Sequence, residues 1–95
     1  MAVYTLAQFT ITDRESYGRY QARFMDVLRR FEGRLLAADE HPHVEEGEWG
    51  YDKVVLLEFP DAAAFRLWAD SRDYRDIAVD RKAGSYGPVL LVRGV

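Results

Sequence analysis

At 95 residues the chain makes one domain, residues 1–95, whose small core is marginal in stability unless a partner adds burial. It has no cysteine, which excludes disulfides, thiolate metal sites and a cysteine nucleophile. A net charge of −3 suits solubility and argues against phosphate backbones as partners.

Met1-Ala2-Val3-Tyr4 lacks the basic start of a signal peptide, and no apolar run nears the roughly 20 residues of a membrane helix. The expectation is a soluble cytoplasmic protein. Val3 to Ile11 alternates as a strand, with Val3, Thr5, Ala7, Phe9 and Ile11 on one face and Tyr4, Leu6, Gln8 and Thr10 on the other. Thr12 and Glu15 have capping-box spacing and predict the start of a helix. Tyr17, Tyr20, Phe24, Val27, Leu28 and Phe31 follow at steps of three and four and define its apolar face. Arg19, Arg23, Asp26 and Arg30 fall on the solvated side. Gly33 stands where a left-handed helix cap is expected.

Arg34 to Asp39 reads as a second strand, resuming over His43 to Glu48 after an interruption at Pro42, which has no amide to donate. Lys53 to Phe59 is the clearest strand. Pro60 ends it and Asp61 caps a helix that turns Ala64, Phe65, Trp68 and Ala69 inward. Ser71 opens a further helix with Tyr74, Ile77, Ala78 and Arg81 on one face, closed by Gly84 and Gly87. Pro88 to Arg93 is the last strand. The order predicts an α+β, ferredoxin-like βαββαβ fold: a four-stranded antiparallel sheet with helices on one face.

A sheet covered on one side should alternate apolar and polar residues. Val54 to Leu57 and Val89 to Val92 instead direct apolar side chains to both faces. The chain has no spare element for the uncovered face, so a homodimer packed sheet to sheet is expected. Trp49 is a candidate interface residue.

Val54 to Tyr74, VVLLEFPDAAAFRLWADSRDY, resembles the DUF1330 family of small bacterial proteins. The likeness is carried by Glu58-Phe59-Pro60, Trp68, Ser71 and Tyr74, with Arg81 following. The early strand, the Asp13 to Tyr17 helix start and the Gly33-Arg34 junction extend it over nearly the whole chain. The resemblance implies a dimeric α/β-barrel fold and no established reaction. Relatives in the wider superfamily include cofactor-independent monooxygenases, heme-degrading enzymes and small isomerases. His41-Pro42-His43 is not a motif of the family.

Glu58 lies in the most apolar strand, in phase with Val54 and Leu56. Facing a dry cavity it would serve as a general base; at a strand end it would pair with a cation. Arg81 is the matching cation, either as its partner or as the clamp for a ligand's carboxylate. Trp68, Tyr74 and Tyr17 are candidate ligand-binding residues, with core packing as the other reading of Trp68 and Tyr17. His41 and His43 could face one way on a strand, with Asp39, Glu40, Glu45 or Glu46 completing a metal site, but an acidic bend is the expectation. There is no phosphate loop or dinucleotide fingerprint, and no cofactor is expected. The central strand lacks the aromatic and basic residues of an RNA-recognition motif.

Two readings follow. One is a small dimeric protein that takes a small molecule between sheet and helices. The other is a cofactor-free enzyme, monooxygenase- or isomerase-like, acting on a small carboxylated or aromatic substrate with Glu58 as base and Arg81 as anion clamp.

Overall fold

The computed structural model describes all residues, Met1–Val95. In chain order the elements are β1 (Val3–Ile11), α1 (Arg14–Leu28), β2 (Arg34–Asp39), β3 (Lys53–Phe59), α2 (Ala62–Ala69), α3 (Arg72–Gly84), β4 (Ser85–Tyr86) and β5 (Val89–Arg93). The strands form one antiparallel sheet in which β1 is central, flanked by β3 and then β2 on one side. On its other side β1 pairs with β5 over Val3 to Ala7 and with β4 over Thr10 and Ile11. β4 and β5 are thus two pieces of one edge strand, and the topology is the ferredoxin-like one.

The break between them falls at Gly87-Pro88. Gly87 has φ +150°, and a Cβ there would run into the carbonyl oxygen of Gln8. Only glycine lets the edge strand pass this close to β1. The short β4 piece was not expected from the sequence, because two residues carry no periodicity of their own.

Three further expectations are corrected. The cap of α1 is Asp13, not Thr12: its carboxylate accepts from the amides of Glu15 at 3.0 Å and Ser16 at 3.4 Å, and from the Ser16 hydroxyl at 2.9 Å. The Thr12 amide is instead spent on the Gly84 carbonyl at 2.9 Å, which ties the entry of α1 to the end of α3. Gly33 is not a left-handed cap, since the positive-φ glycines are Gly47 and Gly87. It is required by space: a Cβ would stand 2.5 Å from Leu28 Cδ1 and 2.7 Å from Phe59 Cε1. Finally, His43 to Glu48 forms no strand. Pro42 cannot donate to a ladder and Gly47 turns the chain at φ +82°. The connection is held by other bonds: Arg14 to Glu40 at 2.8 Å, the Asp52 amide to the Phe9 carbonyl at 2.7 Å, and the Trp49 indole to Gln8 Oε1 at 2.9 Å.

The caps expected at Asp61 and Ser71 are present, accepting from the amides of Ala64 at 2.8 Å and Tyr74 at 3.1 Å. α1 and α3 lie side by side, joined by Arg19 to Asp80 at 3.1 Å and Arg30 to Asp73 at 2.7 Å. Val3, Ala7 and Phe9 of β1 and Leu57 and Phe59 of β3 pack against Tyr17, Leu28, Phe65, Trp68 and Ile77 of the helices. The outer face carries Tyr4, Leu6, Val54 and Leu56, all half-buried, with Leu90 and Val92 exposed beside them.

Phe59 and Leu28 are fully buried, so the methyl group of Gly33→Ala has nowhere to go. Overpacking of this kind costs about 1–3 kcal/mol. Urea unfolding of Gly33→Ala should show that loss, and a midpoint equal to the wild type would mean the two side chains yield freely.

Candidate functional site

Period-two alternation sorts the sheet residues into two sets. Lys53, Val55, Leu57 and Phe59 of β3 point toward the helices with Thr5, Ala7 and Phe9 of β1. The helices do not close down on this face completely. A cavity of about 620 Å³ lies between sheet and helices. Its walls are mostly apolar and aromatic, and it falls within the roughly 300–1,000 Å³ typical of small-molecule pockets.

The aromatic wall is continuous. Trp68 and Tyr74 approach to 4.1 Å between ring centroids, and the Tyr74 hydroxyl shares a hydrogen bond of 3.1 Å with that of Tyr20. Tyr20 lies 5.7 Å from Tyr17, which meets Phe9 edge-on at 6.1 Å. Trp68 and Tyr74 are set by the junction of α2 and α3, where Ser71 donates to the Trp68 carbonyl at 2.7 Å and caps α3 through the Tyr74 amide.

The polar groups of the cavity are unusual in sign. Lys53, Arg75, Arg81 and Lys82 line it, and no aspartate, glutamate or histidine does. Lys53 is 5% exposed and belongs to none of the chain's ion pairs. Its ammonium reaches Gln21 Oε1 at 3.4 Å and stands 4.9 Å above the Tyr17 ring. Arg81 lies over the Phe9 ring at 5.5 Å. Three buried polar atoms have no hydrogen-bond partner: Thr5 Oγ1, Trp68 Nε1 and Arg81 Nε. All three belong to residues that line this cavity.

Burial pushes the Tyr17 phenol up to about 12, with the Glu40 carboxylate adding to it. Burial also pushes Tyr20 up, helped by Tyr74, and pulls Lys53 down. The phenols are therefore neutral donors across the physiological range.

Of the residues singled out from sequence, Trp68, Tyr74, Tyr17 and Arg81 come together around the cavity. Glu58 does not. It faces the open side of the sheet and accepts from Arg34 Nη1 at 3.1 Å, its cross-strand neighbour, not from Arg81. The grouping of Glu58 with Arg81 is thereby corrected: one residue of register puts a β-strand side chain on one face or the other, and Glu58 is out of phase with Leu57 and Phe59. His41 and His43 are exposed; His43 pairs with Glu45, and no group of three or more possible metal ligands is present. Lys53 and Thr5 were passed over as site residues. Their signal was phase, since each is in step with the core residues of its own strand.

The family's model, described as a domain of unknown function, DUF1330, matches residues 2–95. The chain belongs to the DUF1330 family. Solved structures share its fold at low identity. A protein of unknown function from Rhodopseudomonas palustris superposes with TM-score 0.83 at 18% identity, covering 99% of this chain and 82% of that one. SnoaB, a cofactor-independent oxygenase from Streptomyces nogalater, gives 0.71 at 17% identity, with 99% and 93% covered. A dimeric ferredoxin-like protein of unknown function from Thermobifida fusca gives 0.64 at 16%, with 97% and 88% covered. At these identities the likeness is one of fold. No curated protein matches the DUF1330 chain significantly.

The raised phenol of Tyr17 has a stability consequence. Unfolded tyrosine ionises near 10 and the folded residue at about 12. Stability from the neutral phenol is therefore complete below pH 10 and lost as pH climbs toward 12. Tyr17→Phe cannot ionise, so its urea stability should fall less steeply over that range, by up to about 1.4 kcal/mol per pH unit. Lys53 acts with the opposite sign but is common to both proteins. Equal slopes would mean that the phenol ionises freely in the folded state.

Proposed function

We propose that this DUF1330 protein takes up a small, flat, largely apolar organic anion in the cavity between sheet and helices. The observation that carries this reading is the coincidence of three unpartnered buried polar atoms in one cavity whose walls hold cations and no acid. A buried donor left unpaired costs about 1–3 kcal/mol. A ligand oxygen accepting from Trp68 Nε1 or Arg81 Nε would recover that cost, and its negative charge would balance Arg81. The rings of Trp68, Tyr74, Tyr20 and Tyr17 favour an aromatic body.

Catalysis on such a ligand is the second reading, and it draws on the shared fold with the S. nogalater oxygenase. The guanidinium of Arg81 would then stabilise an enolate or phenolate as its charge develops.

Pairing of two chains through the open faces of their sheets belongs to the same proposal. That pairing would bury Tyr4, Leu6, Val54, Leu56, Leu90 and Val92, and the T. fusca neighbour is described as dimeric. A native mass of twice the 11.0 kDa chain is the expected result, with Leu56→Glu running as a monomer. A wild-type mass of one chain would remove the pairing.

Ligand uptake is tested in a Trp49→Phe background, which leaves Trp68 as the only fluorophore of its kind. Titration with 1-naphthoate should give a saturable change in emission. Arg81→Gln should weaken it by about tenfold or more, because a hydrogen bond to a charged group is worth about 1.5–3 kcal/mol. Binding of the neutral 1-naphthalenemethanol should be unaffected by that substitution. If no aromatic acid gives a saturable change, the reading falls.

A further inference from the structure

We propose that Lys53 is a reactive amine that condenses with the carbonyl group of a small aldehyde or ketone held in the cavity. This rests on the reading that the cavity takes up a small organic molecule, and it names the chemistry that follows uptake.

The geometry sets Lys53 apart from an ordinary structural lysine. A buried lysine is usually neutralised by a carboxylate. Lys53 has none: its residue is 5% exposed, its one side-chain hydrogen bond is a long one to a neutral amide, and it is left out of every ion pair. It starts β3 in phase with Val55 and Leu57, opposite Phe9 in the ladder, and so is aimed into the cavity by the sheet itself. A rigid strand holds its backbone, and the Tyr17 ring lies beneath its tip.

The groups facing it are few. Glu40, beyond β2, favours the charged form, while Arg14 of α1 opposes it, and Tyr17 and Gln21 of α1 are neutral. Arg81 of α3 occupies the ring of Phe9, the cross-strand neighbour of Lys53. Desolvation is the largest effect and favours the neutral amine. That is the form with a free lone pair, as in lysines that form imines from apolar pockets.

The step balances without an added oxidant or reductant. The lone pair of Nζ attacks the carbonyl carbon, the C–N bond forms and the π pair moves to oxygen. A proton passes from nitrogen to that oxygen, giving a carbinolamine. Its hydroxyl leaves with the second amine proton as one water, and the C=N bond remains. Addition of water reverses the sequence. No carboxylate or histidine in the walls competes for the role of nucleophile or base.

The chain has an internal control, since its only lysines are Lys53 and Lys82, and Lys82, although it borders the cavity, is exposed. Wild-type protein is incubated at pH 7 with 4-carboxybenzaldehyde and sodium cyanoborohydride, which reduces the imine to a stable secondary amine. Adducts are then placed by peptide mass spectrometry. The expected result is modification at Lys53 about tenfold or more faster than at Lys82 or the N-terminal amine, a small part of what confining two reactants can supply. Benzoate should slow it by competition, and Lys53→Met in the Trp49→Phe background should lose the fast adduct while the probe still quenches Trp68.

Adducts spread equally over Lys82 and the N-terminus would overturn the proposal. In that case, probe binding that still quenches Trp68 in the Trp49→Phe background, with and without Lys53→Met, leaves the uptake reading standing and removes only the amine. Absence of quenching in both removes uptake as well. The comparison within the wild-type chain needs no variant to fold.

Discussion

Phe9 lies opposite Lys53 in the β1–β3 ladder, and the assignment of each sheet side chain to cavity or open face follows from that register. Strand side chains alternate, so a slip of one residue would turn Glu58, Leu56 and Val54 inward and expel Lys53, Leu57 and Phe59. The register is held at both ends. Asp52 reaches back to β1 through the Phe9 carbonyl and the Ile11 amide, and Gly33 lets Phe59 settle against Leu28 at the other. The chemistry available to the cavity, basic and without acid, is a consequence of this pairing.

The helices complete the cavity by standing at a fixed distance from the sheet. Gly84 allows the end of α3 to touch the backbone at Asp13 and Tyr17, and the two arginine–aspartate pairs link α3 to α1 and to the turn that follows it. Those pairs are partly exposed and each contributes little by itself. The aromatic chain from Phe9 to Trp68 fills most of the layer. What it leaves open is bounded by rings, among them Trp68, whose indole N–H has no partner, and Tyr20 and Tyr74, whose hydroxyls pair with each other. Packing density elsewhere makes such a void costly in a domain of this size. A bound molecule would therefore add stability as well as function, by mass action on the folded state.

A ferredoxin-like sheet supports many chemistries, and its membership in a family of unknown function leaves the site to speak through its own residues. Here the decisive feature is negative in one respect and positive in another. No acidic side chain or histidine borders the cavity, so proton transfer by those groups has no place there. Four basic side chains and two unpartnered N–H donors do border it, and on the proposed reading they would suit an oxygen-bearing, electron-rich guest.

The sequence by itself determined the element order, the caps at Asp61 and Ser71, the ferredoxin-like topology and the aromatic face of α1, because each depends on local spacing. It also brought Trp68, Tyr74, Tyr17 and Arg81 forward, since helical periodicity places them on inward faces. Three things were decided only in the tertiary structure. Thr12 gave up its capping role because its amide meets Gly84, seventy-odd residues away in the chain. Glu58 went to the open face, with Arg34, because the helices cover the set of β3 residues that includes Lys53. The partners missing from Thr5, Trp68 and Arg81 became visible only when all their neighbours were in place. Hydrogen-bond satisfaction and the choice of covered face are properties of the packed whole, and no local window of residues contains them.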